Sequence, residues 1–368
     1  MLNWLKKSIL AKDEKMIKAK IEKQKSKFEV KELKCGFFAI QGEGPKQGEC
    51  QDTCLITSPK ILEENIALKQ LEDQQKEVKD SFYLLGVMDG HGSSGKEASN
   101  SVSDLIQKYL EKNMKKIEKL SSFSEREEFF QKCIERVEKQ LKSSGIDYTT
   151  SGSCLTLLFI KDNIVTVINI GDSRAVLCRV GREKAAIELS WDHKPTRKEE
   201  KERILKKGGK IERLNLNGEY IGPLRIWEDE EGPGISVTRA IGNFQGKKIG
   251  LVSKPEIDHL WLKIRDKFFV IASDGVWEVM NSAEVIGFIL KEEEFWSEPD
   301  LVAEKLCKEA RTRWEIKIEN NNFLNRISDY PTAKNGIDDI SAVVAFFIYE
   351  NENEEELEES IVNNIKIV

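Results

Sequence analysis

Short, nearly unbroken apolar runs alternate along this chain with longer segments in which apolar residues recur every three or four positions, the two periods of strands and helices. The runs Cys35–Ile40, Thr53–Thr57 and Ser81–Met88 read as strands, with a charged, helix-prone insert from Ile61 to Asp80 between the last two. Helical spacing then holds over Lys96–Leu120 and Glu125–Lys142, interrupted at Ser121-Ser122. A second strand group follows at Ser153–Ile160, Ile164–Ile170, Ala175–Arg179 and Ala186–Leu189, linked through Lys161-Asp162-Asn163 and Gly171-Asp172-Ser173. Links this short favour antiparallel neighbours. Thr196–Lys207 is helical, Gly208-Gly209 opens a loop, and Gly218–Gly234 reads as irregular because of its glycines and proline. A strand at 268–273, helices at Ser282–Leu290 and Pro299–Trp314, and a last strand at 341–349 complete the pattern. Strand runs with helical pairs between them imply one α+β domain whose helices cover the outer faces of packed sheets.

The ends differ from this core. Residues 1–32 are lysine-rich, with Leu2, Trp4, Leu5, Ile9 and Leu10 on one helical face, and form a basic extension that either packs on its own domain or touches an anionic membrane. Residues 33–350 make the folded domain, and 351–368 an acidic tail. No run reaches the roughly 18 apolar residues of a membrane span, and the N-terminus lacks both a signal-peptide core and the glycine of a myristoylation site.

Composition narrows the classes. Apolar residues at 39% and charged residues at 33% suit a globular enzyme with a Lys- and Glu-rich surface. A net charge of -6 argues against nucleic acid as the partner, while 58 Lys and Arg leave enough to build a local basic pocket. The seven cysteines are scattered and several fall inside apolar strands, as expected of reduced, packed thiols in an intracellular protein. Cys50 and Cys54 have no second Cys/His pair at matching spacing, which sets zinc aside. A cytoplasmic monomer is expected, with nuclear or peripheral membrane association left open.

Candidate chemistry lies where carboxylates meet apolar strands. Asp89-Gly90-His91-Gly92 follows Phe82–Met88, Asp274-Gly275 follows Phe268–Ser273, and Asp338-Asp339 precedes Ile340–Ile348. Any one Asp-Gly is an ordinary turn. Three acidic groups fixed at strand ends are a different matter, because converging carboxylates repel one another and a divalent cation relieves that repulsion.

The motifs resemble those of the metal-dependent serine/threonine protein phosphatases, the PPM or type 2C family. In order they are Gln51-Asp52, Val87–Gly92, Ser151–Cys154, Asn169–Val176, Asp192–Pro195, Val237–Gly242, Ala272–Glu278 and Asp338–Ser341, over about residues 35 to 349. The resemblance implies a central sandwich of two antiparallel β-sheets flanked by α-helices, a four-layer αββα arrangement. It implies two Mn²⁺ or Mg²⁺ ions, with Asp52, Asp89, the Gly90 carbonyl, Asp274 and Asp338 around them and a water between them as the attacking group. It further implies His91 as general acid, Lys46 as the phosphate-binding cation, and phosphorylated proteins as substrates. Asp172 serves either a weaker third ion or only its turn.

Two positions depart from the family pattern. Gln51 stands where many members have Glu, and Asn243 where Asp is usual; together they keep open an alternative, a weak or inactive pseudophosphatase that binds phosphoproteins. His193 and His259 are expected to be structural, Trp191 and Trp277 to be packing residues, and Arg174 to pair with an internal carboxylate.

Overall fold

In the strand that ends at Ala272, Phe268, Val270 and Ala272 face one apolar layer while Phe269 and Ile271 face another, so every position from Phe268 on is buried. That is why the run carries no polar alternation: the sheet is covered on both sides. The computed structural model describes residues 30–43, 49–62, 81–181, 185–216, 218–228, 234–320 and 336–349. Its strands are β1 (Val30–Ile40), β2 (Asp52–Thr57), β3 (Tyr83–His91), β4 (Gly152–Ser153), β5 (Leu155–Lys161), β6 (Ile164–Ile170), β7 (Arg174–Arg179) and β8 (Ala185–Glu188). Then come β9 (Lys210–Leu216), β10 (Glu219–Trp227), β11 (Ile241–Gly242), β12 (Glu256–Trp261), β13 (Asp266–Ala272) and β14 (Ile340–Tyr349). The helices are α1 (Gly95–Lys112), α2 (Met114–Ile117), α3 (Phe123–Lys142), α4 (Lys198–Lys206), α5 (Asp274–Trp277), α6 (Ser282–Lys291) and α7 (Pro299–Asn320).

One sheet runs β1-β14-β13-β7-β8, the other β11-β4-β3-β5-β6-β12 with β2 on β3, and every pairing in them is antiparallel. Three apolar layers hold them. Leu85, Val87, Leu158 and Val167 meet Leu177, Phe269, Ile271 and Val343 between the sheets. Val102, Ile106, Phe129, Phe130 and Val137 of α1 and α3 cover one outer face. Val285, Ile289, Val302, Leu306 and Ala310 of α6 and α7 cover the other. This is the αββα sandwich that the motifs imply.

The helix break read at Ser121-Ser122 is a capping box, in which Ser122 Oγ accepts from Glu125 N at 3.2 Å and Glu125 accepts from Ser122 N at 3.0 Å. The β5–β6 turn is a two-residue hairpin with Asp162 and Asn163 at φ 55° and 58°, the backbone that a tight right-twisted hairpin requires. Fully buried Arg126 of α3 pins this turn by donating to Lys161 O at 3.1 Å and Ile164 O at 3.4 Å.

Several elements differ from the sequence reading. Gly218–Gly234 is not simply irregular, because Glu219–Trp227 pairs with Lys210–Leu216 as a hairpin. Its glycines fall at turn positions with φ of 91° and 68°, so the signal taken for a loop marks a turn and an irregularity between strands. The strands β11 and β12 carry too little apolar alternation to be read. Most important, β3 does not end at Met88. It continues through His91 because Asp89 pairs with Asp52 of β2 while Gly90 and His91 pair with β4. The helix-prone insert, from 63 on, and the acidic tail lie outside the described residues, as does the basic extension up to residue 29. No helix among the described residues is long and apolar enough to cross a membrane.

Candidate active site

Backbone pairing, rather than loop geometry, delivers the first two carboxylates. Asp52 opens β2 opposite Asp89 in β3, and Cys154 N donates to Asp89 O at 2.8 Å. Gly90 can only be glycine here, since a β-carbon would collide with Gly95 O and Gln51 O. Asp274 comes from the end of β13, in the first turn of α5, where backbone N–H groups favour a negative side chain. Asp172 comes from the turn after β6, whose Gly171 has φ 106° and would drive a β-carbon into Cys154 Sγ.

Carboxylate oxygens of Asp89, Asp172 and Asp274 all lie within 4.8 Å of one another. Asp172, read from sequence as a turn residue or the seat of an extra ion, is thus a full member of the acidic group. Asp338 falls outside that tight trio and acts on Asp52 and Asp89 through its charge. Its neighbour Asp339 fastens the segment, accepting from Gly42 N at 2.7 Å and Gln51 N at 2.8 Å. Burial, then the charges of Asp52, Asp274, Asp172 and Asp338, push the Asp89 carboxyl well above the usual carboxylate range.

Burial likewise pushes Asp52 up to about 7, with Asp339 and Asp338 adding to the rise and the nearby Ser273 and Ser341 hydroxyls working against it. Those hydroxyls do not meet hydrogen-bond geometry, and both Asp52 carboxylate oxygens are buried without a hydrogen-bond partner. Orphaned carboxylate oxygens beside three converging carboxylates are costly unless a cation is supplied. The donor set is all hard oxygen, so it fits Mg²⁺ or Mn²⁺ and not zinc.

His91 ends β3 with Nε2 3.3 Å from Asn243 Nδ2. The Asn243 amide is oriented by its other contacts: Oδ1 accepts from Gly246 N at 3.1 Å, and Nδ2 donates to Thr150 O at 3.1 Å. The side chain therefore turns N–H groups toward the ring, and His91 Nε2 is the acceptor of the pair. Asn243 sits at φ 48°, a backbone position that asparagine tolerates. Gln51, the other departure from the family pattern, donates from Nε2 to Gly92 O at 3.0 Å and so braces the turn that follows His91. Lys46 lies outside the described residues.

Sequence reasoning passed over two cations. Lys194 Nζ lies 2.8 Å from Asp172 Oδ2, an ion pair rather than a well-aligned hydrogen bond. Although burial disfavours its charge, Asp172 and Asp274 hold the ammonium above the usual lysine range. Arg225 of β10 donates to Gly234 O at 2.7 Å, and its guanidinium feels Glu278 and Asp338. The Asp192–Pro195 motif pointed to the first; nothing pointed to the second, because the hairpin that carries it was not legible.

The loop bearing Lys194 hangs on His193, which is fully buried and structural as expected. Its N–H donates to Gly171 O at 2.9 Å, its Nδ1 accepts from Gly171 N at 3.1 Å, and its carbonyl takes Thr238 N and Oγ1. Nε2 faces Glu256, which Arg197 also grips at 2.7 and 2.8 Å. Arg174 pairs with Asp192 through two bonds of 3.0 and 2.9 Å, as expected, and lies over the ring of buried Trp277. Trp191 does not pack: it is 60% exposed, since its flanking residues and not its ring anchor the segment.

The Protein phosphatase 2C family model matches residues 57–315. Probable protein phosphatase 2C 34 of Arabidopsis thaliana is 30% identical over 285 residues, covering 73% of this chain and 73% of its own length. Probable protein phosphatase 2C 61 of the same plant is 33% identical over 265 residues, 71% and 74% of the two chains. Among solved structures, the serine-threonine phosphatase 2C from Toxoplasma gondii superposes with a TM-score of 0.64 at 19% identity, over 86% of this chain and 95% of the other, a likeness of fold. A sex determining protein from C. elegans gives 0.58 at 19% identity, over 85% and 64%. The match to the family model over more than half of its residues and the two plant relatives place the chain in the protein phosphatase 2C family of metal-dependent protein serine/threonine phosphatases.

Proposed function

We propose that this chain hydrolyses phosphoserine and phosphothreonine in proteins at the acidic group around Asp89. The observation that carries the reading is the convergence of Asp89, Asp172 and Asp274 within 4.8 Å beside the unpartnered oxygens of Asp52. Asp52, Asp89, the Gly90 carbonyl, Asp274 and Asp338 would hold two Mn²⁺ or Mg²⁺ ions, which activate water and neutralise charge on the phosphoryl oxygens.

The residues supply the rest. A water oxygen bonds to phosphorus as the water gives up a proton to solvent, the phosphorus–oxygen ester bond breaks, and the departing serine or threonine oxygen takes a proton. The proton would come from His91 in its imidazolium form, which on giving it up becomes the neutral ring whose Nε2 accepts from the Asn243 amide. Lys46 would hold the phosphate as a single point charge. Because water attacks phosphorus directly, the reaction needs no covalent phosphoenzyme.

Release of phosphate from phosphoserine and phosphothreonine peptides, measured with Mn²⁺ and with chelator, tests the reading. Turnover that requires Mn²⁺ and is abolished by Asp274→Asn supports it. Full turnover in chelator, or none in Mn²⁺, overturns it.

A further inference from the structure

We infer that the turn between β12 and β13, with Lys263, Arg265 and Lys267, is the docking surface for the chain's own acidic tail. That turn lies at the end of the sandwich opposite the acidic group around Asp89, so the surface is separate from the proposed chemistry.

Strand direction separates the two ends. β14 starts at Ile340, just after Asp338 and Asp339, and finishes at Tyr349; a strand of that length spans about 30 Å. β13 runs the other way, from Asp266 to Ala272, so that Asp274 follows it at the active-site end and the β12–β13 turn precedes it at the far end. Tyr349 is fastened to that turn. Its hydroxyl donates to Asp266 O at 2.8 Å, with Lys263 O at 3.0 Å sharing the proton. The residue from which the tail departs is thus tied to the residues that would receive it.

Charge selects the occupant. Asp266, the one acid in the sequence Leu262–Lys267, is fully buried and held by Arg179 at 2.5 and 3.0 Å. The turn therefore presents its cations: Lys263 is exposed, and Arg265 and Lys267 are half-buried. Residues 350–359 hold seven glutamates and no cation. Joined at Tyr349, they meet the turn at an effective concentration on the order of millimolar, which turns weak ionic contacts into high occupancy. Residues 1–29 reach the same end, because Val30 is the register partner of Tyr349, but they carry nine lysines against four acids. Like charge keeps that basic extension off the turn and leaves the place to the tail.

Amine footprinting read by mass spectrometry tests this. In low salt, Lys263 and Lys267 of the full chain should be acetylated about fivefold more slowly than in a chain shortened to Tyr349, the effect of a unit opposite charge at contact distance in water. Raising salt from about 0.01 M to about 1 M cuts the screening length from about 30 Å to about 3 Å and should abolish the difference. Zero-length carbodiimide cross-linking of the unaltered chain should join Lys263 or Lys267 to Glu354, Glu355, Glu356, Glu358 or Glu359, all several residues past Tyr349. Equal labelling of the two chains in low salt overturns the inference and leaves the turn to an outside partner such as an anionic membrane. Tail glutamates that leave both lysines unlinked overturn it too, whether they join lysines of residues 1–29 or nothing. Cross-linking needs no altered chain, so it decides the matter even where the shortened chain fails to fold.

Discussion

Asp52 and Asp89 face each other as partners in the antiparallel register of β2 and β3, so a buried and a half-buried acidic side chain are set side by side by main-chain hydrogen bonding. Strand pairing tolerates little adjustment, and neither group can move away from the other without breaking the ladder. The fold thus builds in electrostatic strain that a cation relieves, and stability and function oppose each other at these positions.

Asp89→Asn separates the two. In chelator the variant should melt higher than the unaltered chain, by the equivalent of about 1–3 kcal/mol, because one of several crowded charges is gone. In saturating Mn²⁺ the order should reverse, since the variant loses ion affinity and the stabilisation that bound ions confer. Thermal melts in the two buffers decide it; a variant less stable in chelator would contradict the strain argument.

His91→Gln should lower kcat by about 10²–10⁴, the span of a lost general acid, while leaving the number of bound Mn²⁺ ions unchanged. Turnover and calorimetry on the same sample check both halves. A variant that keeps kcat removes His91 from proton transfer, and one that loses an ion shows the ring supporting the metal site instead.

The layers and most elements were legible because apolar periodicity reports burial, and burial follows from the four-layer plan. The reading of Ser282–Leu290 against the observed Ser282–Lys291 is an example. Pro299–Trp314 stopped short of Asn320 because the last turns of α7 lose their apolar stripe: Ile316 is 51% exposed. The carboxylates at Asp89 and Asp274 were legible because each abuts a run of buried residues. Lys194 and the Asn243 contact were not, since a lysine in a turn and an asparagine after glycine look solvated until the turn is folded over Asp172 and His91. Arg225 was hidden by the glycines of its own hairpin.

Arg126 makes a test of the helix-to-sheet joint. Its guanidinium is fully buried, lies 5.6 Å from the Phe159 ring centre, and closes the β5–β6 turn through two carbonyls. Arg126→Met keeps the stem and removes the donors, leaving the Lys161 and Ile164 carbonyls short of partners. A loss of about 2–4 kcal/mol is expected, as when one partner of a buried polar network is deleted. Urea unfolding measures it, and a loss under about 1 kcal/mol would show water replacing the guanidinium.

His259 gives the fold an acid-sensitive joint distinct from the active site. It stacks on Phe123 of α3 at 4.3 Å between ring centres, with Nδ1 3.1 Å from Thr166 Oγ1 and Nε2 3.3 Å from Glu127. Burial, helped by the Arg126 charge, lowers its pKa to about 4, while the unfolded chain keeps an ordinary imidazole near 6.5. Between those values the unfolded state binds the proton and the folded state does not. The contribution is therefore complete above about pH 6.5 and is lost as pH falls toward 4, amounting to about 2 kcal/mol at pH 5. His259→Gln should lower stability at pH 7 through lost stacking and yet narrow the difference between pH 7 and pH 5 by that amount. Urea midpoints for both proteins at the two pH values measure the difference directly, and an unchanged difference would mean that His259 is already protonated in the folded chain at pH 5.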